Sequence, residues 1–397
     1  MYFAGRVVPL PVYTSGGTIM KFKNLRAFLD AIPERLGVPG TDCIVYHHRK
    51  EVFRHQSGFA DPETKQPVTP DLLYNMYSAT KPVTCTAALQ LFEKGAFLLT
   101  DPLYDYIPEF KTMYVKENGL VRQAKNPILI RDLFTMTAGF DYDIRRNAII
   151  NAKKETDHRC PTVDTVRAFA KEPLIFEPGT CWEYSLCHDV LGALIEVVSG
   201  MGLEDYCRKN LFDPLQMNDT SYFMDEEKEK RLAPMFMFSD EKGYAEKISG
   251  VNIFRFGSEY ASGGAGLVSS VDDYIRFADC MACGGKTPSG EQILGKRTID
   301  LMRKNHLTGA VLDAFFEYAK NHMPGYGYGL GVRTMYDPVA GGSNGPVGEF
   351  AWGGATGNYA LIDPENELAV YYAQHMHNSK EPIIHRRIRN IVYSCIE

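Results

Sequence analysis

The sequence predicts an α/β chain: one antiparallel sheet, assembled from both ends of the chain and flanked by helices, with a mostly helical region inserted in its middle. Three observations predict it. β-rich runs occur near the start (CIVYHHRKEVFRHQSGFAD, from Cys43) and return only after about residue 320. The stretch between them reads as helical segments joined by Pro- and Gly-marked loops. The 397 residues, 45% apolar and 23% charged, match an ordinary globular composition and can bury a large core in about two structural units. The expected division is an extension over residues 1–19, a discontinuous α/β sheet unit over 20–71 and 256–397, and a mostly helical unit over 72–255. A ligand site is expected in the cleft between the two units.

Taken in order, residues 23–37 (KNLRAFLDAIPERLG) have the apolar spacing of an amphipathic helix, with a kink or early break at Pro33. The following β-rich runs read as a hairpin turning at about Arg49 and Lys50. After residue 320 the strand signal returns in YGYGLGVRTM, GEFAWGG, GNYALIDP and ELAVYYAQHM. Pro364-Glu365-Asn366 supplies a hairpin connection between the last two, and a helix from about Pro382 to Ile396 closes the chain.

Charge and composition exclude several classes. The net charge of -6 comes from 43 basic and 49 acidic residues with no basic stripe, which argues against nucleic acid as a partner. No apolar run approaches the roughly 20 residues needed to cross a bilayer, so no membrane association is expected. Residues 1–20 carry Pro9 and Pro11 inside a short apolar patch and show no secretory pattern, and Met20 reads equally well as a start. A cytoplasmic protein is therefore expected. The nine cysteines have no repeated spacing. Cys280 and Cys283 form one C-x-x-C without a second pair, so buried free thiols are expected rather than zinc. His375 and His377, on one face of a strand, supply only part of a ligand set; no metal is expected.

The sharpest local signal is YNMYSATKPVTCTAALQLFEKGAFLLTDP. Val83, Ala87 and Leu91 recur at helical spacing, and Gly95 follows Lys94 as a stop. Ser78 stands at the helix start with Lys81 three residues on, so the two side chains share a face. Pro82 is tolerated because first-turn amides lack intrahelical acceptors. A serine hydroxyl becomes a nucleophile when a base removes its proton, and a desolvated lysine can be that base. Free N–H groups at a helix start can also stabilise an oxyanion.

Two other segments imitate catalytic motifs. Ser239 and Lys242 in FSDEKGY repeat the S-x-x-K spacing, but in a charged, Gly-containing segment where the lysine would stay solvated. Gly341-Gly342-Ser343-Asn344-Gly345 matches G-x-S-x-G, yet no helix follows to make a strand–turn–helix elbow, so a glycine-rich surface loop is expected.

Three further segments follow the SATK motif in order: EPGTCWEYSLCHDVLGALIEVVSGM, SGGAGLVSSVDDYIRF and GEFAWGGATGNYALIDPENELAV. Together the four resemble the serine β-lactamase and penicillin-binding-protein superfamily, in particular class C β-lactamases and the family VIII carboxylesterases related to them. The resemblance runs from about residue 25 to the end. It implies a β-lactamase-like fold and an acyl-enzyme mechanism in which Ser78 is the nucleophile, Lys81 its proton partner and Tyr184 the second-motif tyrosine. The backbone N–H groups of Ser78 and Ala355 would form the oxyanion hole. Trp352, Gly353 and Gly354 would occupy the third motif, where the missing Cβ atoms let substrate approach the backbone. Tyr184 would act as base or acid if nearby cations lower its pKa. The Gly263-Gly264-Ala265-Gly266 run resembles a structural landmark of the family.

Two departures bear on substrate. Trp352 stands where β-lactamases carry a basic residue, and Leu186 where the second motif often has an asparagine. Both replace polar groups by apolar ones, and Trp-Gly-Gly resembles the family VIII esterases. The resemblance therefore implies a carboxylesterase on short or medium acyl esters, with β-lactamase-like, D-peptidase or other amidase activity as the alternative. A non-catalytic binding or sensor module is the third reading. The expected partner is a small-molecule ester or amide, with no cofactor. Aromatic residues in the intervening loops (Tyr104, Tyr106, Phe140, Tyr142, Phe254, Phe315, Phe316) suggest an aromatic cleft wall or core packing.

Overall fold

The computed structural model describes residues 21–396, so the expected extension over residues 1–19 lies outside the described residues. An eight-stranded sheet dominates. Its strands are β1 Gly40–His47, β2 Lys50–Asp61, β3 Gln66–Pro67, β4 Tyr326–Tyr328, β5 Arg333–Met335, β6 Phe350–Ala351, β7 Tyr359–Asp363 and β8 Leu368–Ala373. Their spatial order is β4-β5-β6-β7-β8-β1-β2-β3, and every neighbouring pair is antiparallel. The two ends of the chain meet in the middle, where Ile44 pairs with Tyr371 and Val45 with Val370.

Both faces of this sheet are covered, which is why β8 reads as a continuous apolar run rather than an alternation. Leu368, Val370 and Tyr372 join Cys43 and Val45 in one core with α1 (Lys23–Leu36) and the closing helix α6 (Glu381–Tyr393). Ala369, Tyr371 and Ala373 belong to the larger opposite core, where α4 (Val271–Ala282) lies against the sheet. Beyond it lie two central helices packed on each other, α2 (Thr80–Glu93) and α3 (Cys187–Ser199).

Several local expectations shift. α1 runs straight through Pro33 and closes at Gly37, whose positive φ and N–H to Pro33 O end it. Leu25, Phe28, Leu29 and Ile32 are buried from that helix, and their packing holds the last turn despite the missing proline donor. The first hairpin turns at His48 and Arg49, both at positive φ, one residue earlier than expected. The last hairpin closes over 364–367, where Asp363 Oδ1 accepts the N–H groups of Glu365 and Asn366. The middle region also contains strands: Met235–Ser239 pairs with Tyr244–Ile248 and, in parallel, with Met376–His377. Among the described residues no helix is long and apolar enough to cross a membrane.

Candidate active site

The fold brings the ends of three elements to one place. Ser78 sits in a single 3-10 turn, Tyr77–Ala79, that runs directly into α2. Tyr77 takes a left-handed φ of 45°, an unfavourable state for a non-glycine residue, and is fixed by its ring contacts with Phe254 and His377. α2 is not amphipathic: every residue from Thr80 to Leu91 is buried. Lys81 is therefore carried into the interior with 0% of its surface exposed.

Lys81 Nζ donates to Ser78 Oγ at 3.2 Å, to Gly264 O at 2.8 Å and to Tyr142 OH at 3.3 Å. Burial lowers its pKa to about 7, against a smaller opposing pull from Asp189. The ammonium also lies over the rings of Tyr184 (4.6 Å) and Tyr142 (5.3 Å). The Gly263–Gly266 run thus supplies a lysine acceptor as well as close packing, since a Cβ on Gly264 would lie 2.5 Å from Asp189 Oδ2.

Tyr184 stands three residues before α3, and its OH donates to Ser78 Oγ at 2.5 Å. Its own oxygen accepts from Trp352 Nε1 at 3.2 Å. The rings of Trp352, Tyr184 and Tyr142 stack in series, with centroids 5.7 and 5.3 Å apart. Burial pushes the Tyr184 phenol up, and its hydrogen bonds with Ser78 and Trp352 only partly offset it. The lowered tyrosine pKa that nearby cations would give is not found: burial is the largest influence on this phenol and acts upward. Burial thus shifts the phenol toward its protonated form and the lysine toward its neutral form.

Trp352, Gly353, Gly354 and Ala355 follow β6 and line a cavity of about 210 Å³ together with Ser78 and Tyr184. Among the described residues, neither the Ser78 nor the Ala355 N–H donates to a backbone carbonyl in a turn, loop or cap. Gly354 has a reason other than substrate approach: a Cβ there would lie 2.3 Å from Met76 O, so the glycine lets this segment pass the one that carries Ser78. Leu186 is not brought to the cavity. It is 5% exposed, stands at the start of α3 and faces a separate small hollow beside Phe140 and Phe169.

The loop aromatics divide. None of the seven singled out in the sequence lines the Ser78 cavity, although Tyr142 reaches Lys81 and Phe254 packs edge-on against Tyr142. The cavity wall comes instead from Tyr318 on α5 (Gly309–Ala319), from Tyr326 and Tyr359 on the sheet, and from α6. Only contact across the fold reveals these; no local motif marks them. Among the described residues no three His, Cys, Asp or Glu side chains are grouped to hold a metal ion. His375 Nδ1 lies 2.8 Å from Ala233 O, Cys283 Sγ donates to Asp279 Oδ1, and all nine cysteines are free. Ser343 is occupied in its own loop, where its Oγ accepts the Gly345 N–H after a one-turn helix.

Comparison with known proteins agrees with this arrangement. The family model described as Beta-lactamase matches residues 25–393. The chain is 28% identical over 372 residues to Esterase EstB of Burkholderia gladioli, covering 87% of this chain and 89% of that protein. It is 27% identical over 328 residues to Lovastatin esterase of Penicillium rubens, covering 77% and 79%. Among solved structures, EstCE1, a hydrolase with promiscuous acyltransferase activity, superposes with a TM-score of 0.76 at 24% identity, over 94% of this chain and 98% of the other. With a serine, a buried lysine and a tyrosine converging at the mouth of its cavity, the chain belongs to the β-lactamase family.

Proposed function

We propose that the protein is a carboxylesterase that works through a covalent acyl-enzyme on Ser78. The observation that carries this reading is the convergence of Lys81 Nζ and Tyr184 OH, at 3.2 and 2.5 Å, on one serine oxygen at a cavity. Neutral Lys81 takes the hydroxyl proton as Ser78 Oγ attacks the ester carbonyl. The N–H groups of Ser78 and Ala355 hold the developing oxyanion. As the C–O bond breaks, the departing alkoxide receives a proton from Tyr184, and the proton that Lys81 took from Ser78 replaces it on the phenol. Water, deprotonated by the same apparatus, then cleaves the acyl-enzyme. Esterase names among full-length relatives support ester over amide substrates. Trp352, with no charge where β-lactamases carry a basic residue, supports the same choice. Free thiols throughout fit a reducing, cytoplasmic setting.

The test is turnover of a short-chain nitrophenyl ester and of a chromogenic cephalosporin by the protein and its Ser78→Ala variant. Ester turnover lost in the variant, with little lactam turnover, is expected. A folded Ser78→Ala protein that retains ester turnover would overturn the reading.

A further inference from the structure

The cavity wall also carries charged groups, and two of them are left incomplete. Arg333, on β5, is buried, and its guanidinium is held between the rings of Tyr326 and Tyr359, at 5.2 and 4.9 Å. Nη2 donates to Ala360 O at 2.7 Å, Tyr326 takes a further interaction, and the nearest carboxylate oxygen, of Glu349, stands off at 3.9 Å. Its remaining N–H donors have no acceptor among the described residues, although Arg333 lines the cavity. Across from it Glu381, at the start of α6, lines the same cavity and makes no hydrogen bond or ion pair among the described residues. Its carboxyl feels Arg333 electrostatically but does not reach it, and burial raises its pKa.

Other charged groups stand nearby. Arg389 is saturated by Tyr326 OH, Gly341 O and Asn390 Oδ1. Arg386 also lines the cavity, on the Gly342 side. Glu349 accepts from Tyr326 OH at 2.7 Å through Oε2, while its Oε1 has no hydrogen-bond partner and stands 3.9 Å from Arg333 Nη2. Incomplete buried donors and acceptors are costly unless something completes them. A carboxylate set between Arg333 and Glu381 would be opposed by Glu381, and an ammonium by Arg333. A neutral group that accepts on one side and donates on the other satisfies both.

We propose that Arg333 and Glu381 form a substrate subsite for a neutral carboxamide, whose C=O accepts from Arg333 and whose N–H donates to Glu381. This rests on the esterase reading and narrows it: the preferred ester carries a primary or secondary amide a few bonds from the scissile carbonyl. It also tempers the apolar preference implied by Trp352 and Leu186, since Trp352 forms only one wall and Leu186 lies elsewhere.

The experiment compares kcat/KM for isosteric nitrophenyl and alkyl esters ending in –CONH2, –COCH3, –CO2⁻ or –CH(CH3)2, placed in one set on the acyl chain and in a second on the alcohol. In one of the two sets the carboxamide is expected to exceed the ketone and the apolar ester by about tenfold or more, because the ketone lacks the N–H and the apolar group lacks both partners. Glu381→Leu is expected to shrink the carboxamide-to-apolar ratio toward one, a ratio taken on the same variant and so independent of how much of it folds. No carboxamide preference in either set, a preference for the carboxylate, or a ratio unchanged in Glu381→Leu would each overturn the proposal. Failure of all esters to turn over would instead overturn the esterase reading.

Discussion

The chain contains the spacing S-x-x-K twice, and the two copies could hardly differ more. At Ser78 the lysine is wholly buried, bonded to the serine hydroxyl, and held at a pKa of about 7. At Ser239 the serine ends a strand of the small sheet and the lysine lies in the turn beyond. Lys242 Nζ, 48% exposed at the side chain, pairs with Glu246 at 2.7 Å, and that carboxylate raises its pKa. Ser239 Oγ there accepts the Lys242 backbone N–H rather than its ammonium. Spacing brings two side chains to one neighbourhood; desolvation lowers the pKa of one lysine, and the Glu246 carboxylate raises that of the other.

Breaking the two copies in parallel is the strongest test of that contrast. Ser78→Ala should lower ester kcat by on the order of 10³-fold or more, while Ser239→Ala should leave it within twofold, read from initial rates on the same ester. Lys81→Met should cost about 10²–10⁴-fold, the usual reach of a positioned general base, and Lys242→Met essentially nothing. A rate for Lys81→Met close to that of the parent would mean that another group takes the Ser78 proton.

The pH dependence sharpens the contrast. Because the acting form of Lys81 is neutral, kcat/KM should rise with pH through about 7 and then level, and this limb should vanish in Lys81→Met. Stability carries the same signature with a definite sign. The folded-state pKa of Lys81 lies below its unfolded value, so between about 7 and the ordinary lysine range the unfolded chain binds the extra proton. Its contribution therefore becomes less unfavourable as pH rises through that window. Lys81→Met should raise Tm by a few degrees at pH 6 and by less at pH 9.5, whereas Lys242→Met should show no such trend. The smallest effect is expected at Trp352. Trp352→Phe keeps most of the ring stack but removes the 3.2 Å N–H donation to Tyr184, and should lower kcat only about three- to tenfold.

The sheet was legible in part. Runs such as ELAVYYAQHM and CIVYHH announced strands at both ends, and antiparallel pairing of β1 with β8 joins them. Pro33 misled, since proline rules describe a local cost while Leu29 and Ile32 are held by the core. At the site, the Ser78 and Lys81 pair was read from helix spacing and Tyr184 from the resemblance of its segment to the family's second motif, and the structure brings the three together. Leu186 was misplaced because its neighbourhood in the sequence does not tell which way a helix start faces. Arg333, Tyr318 and Glu381, in three separate elements, carry no local motif and meet only in the folded cavity.

By itself the sequence determined the nucleophile segment, the order of its companions and the strand-rich ends. All of these depend on short-range periodicity and on residue types a few positions apart. Tertiary structure alone decided which S-x-x-K lysine is desolvated, that burial shifts the Tyr184 phenol upward, and that a buried arginine and a glutamate face one cavity. Those properties depend on exclusion of water and on contacts between distant segments, and neither is encoded in any window of a few residues.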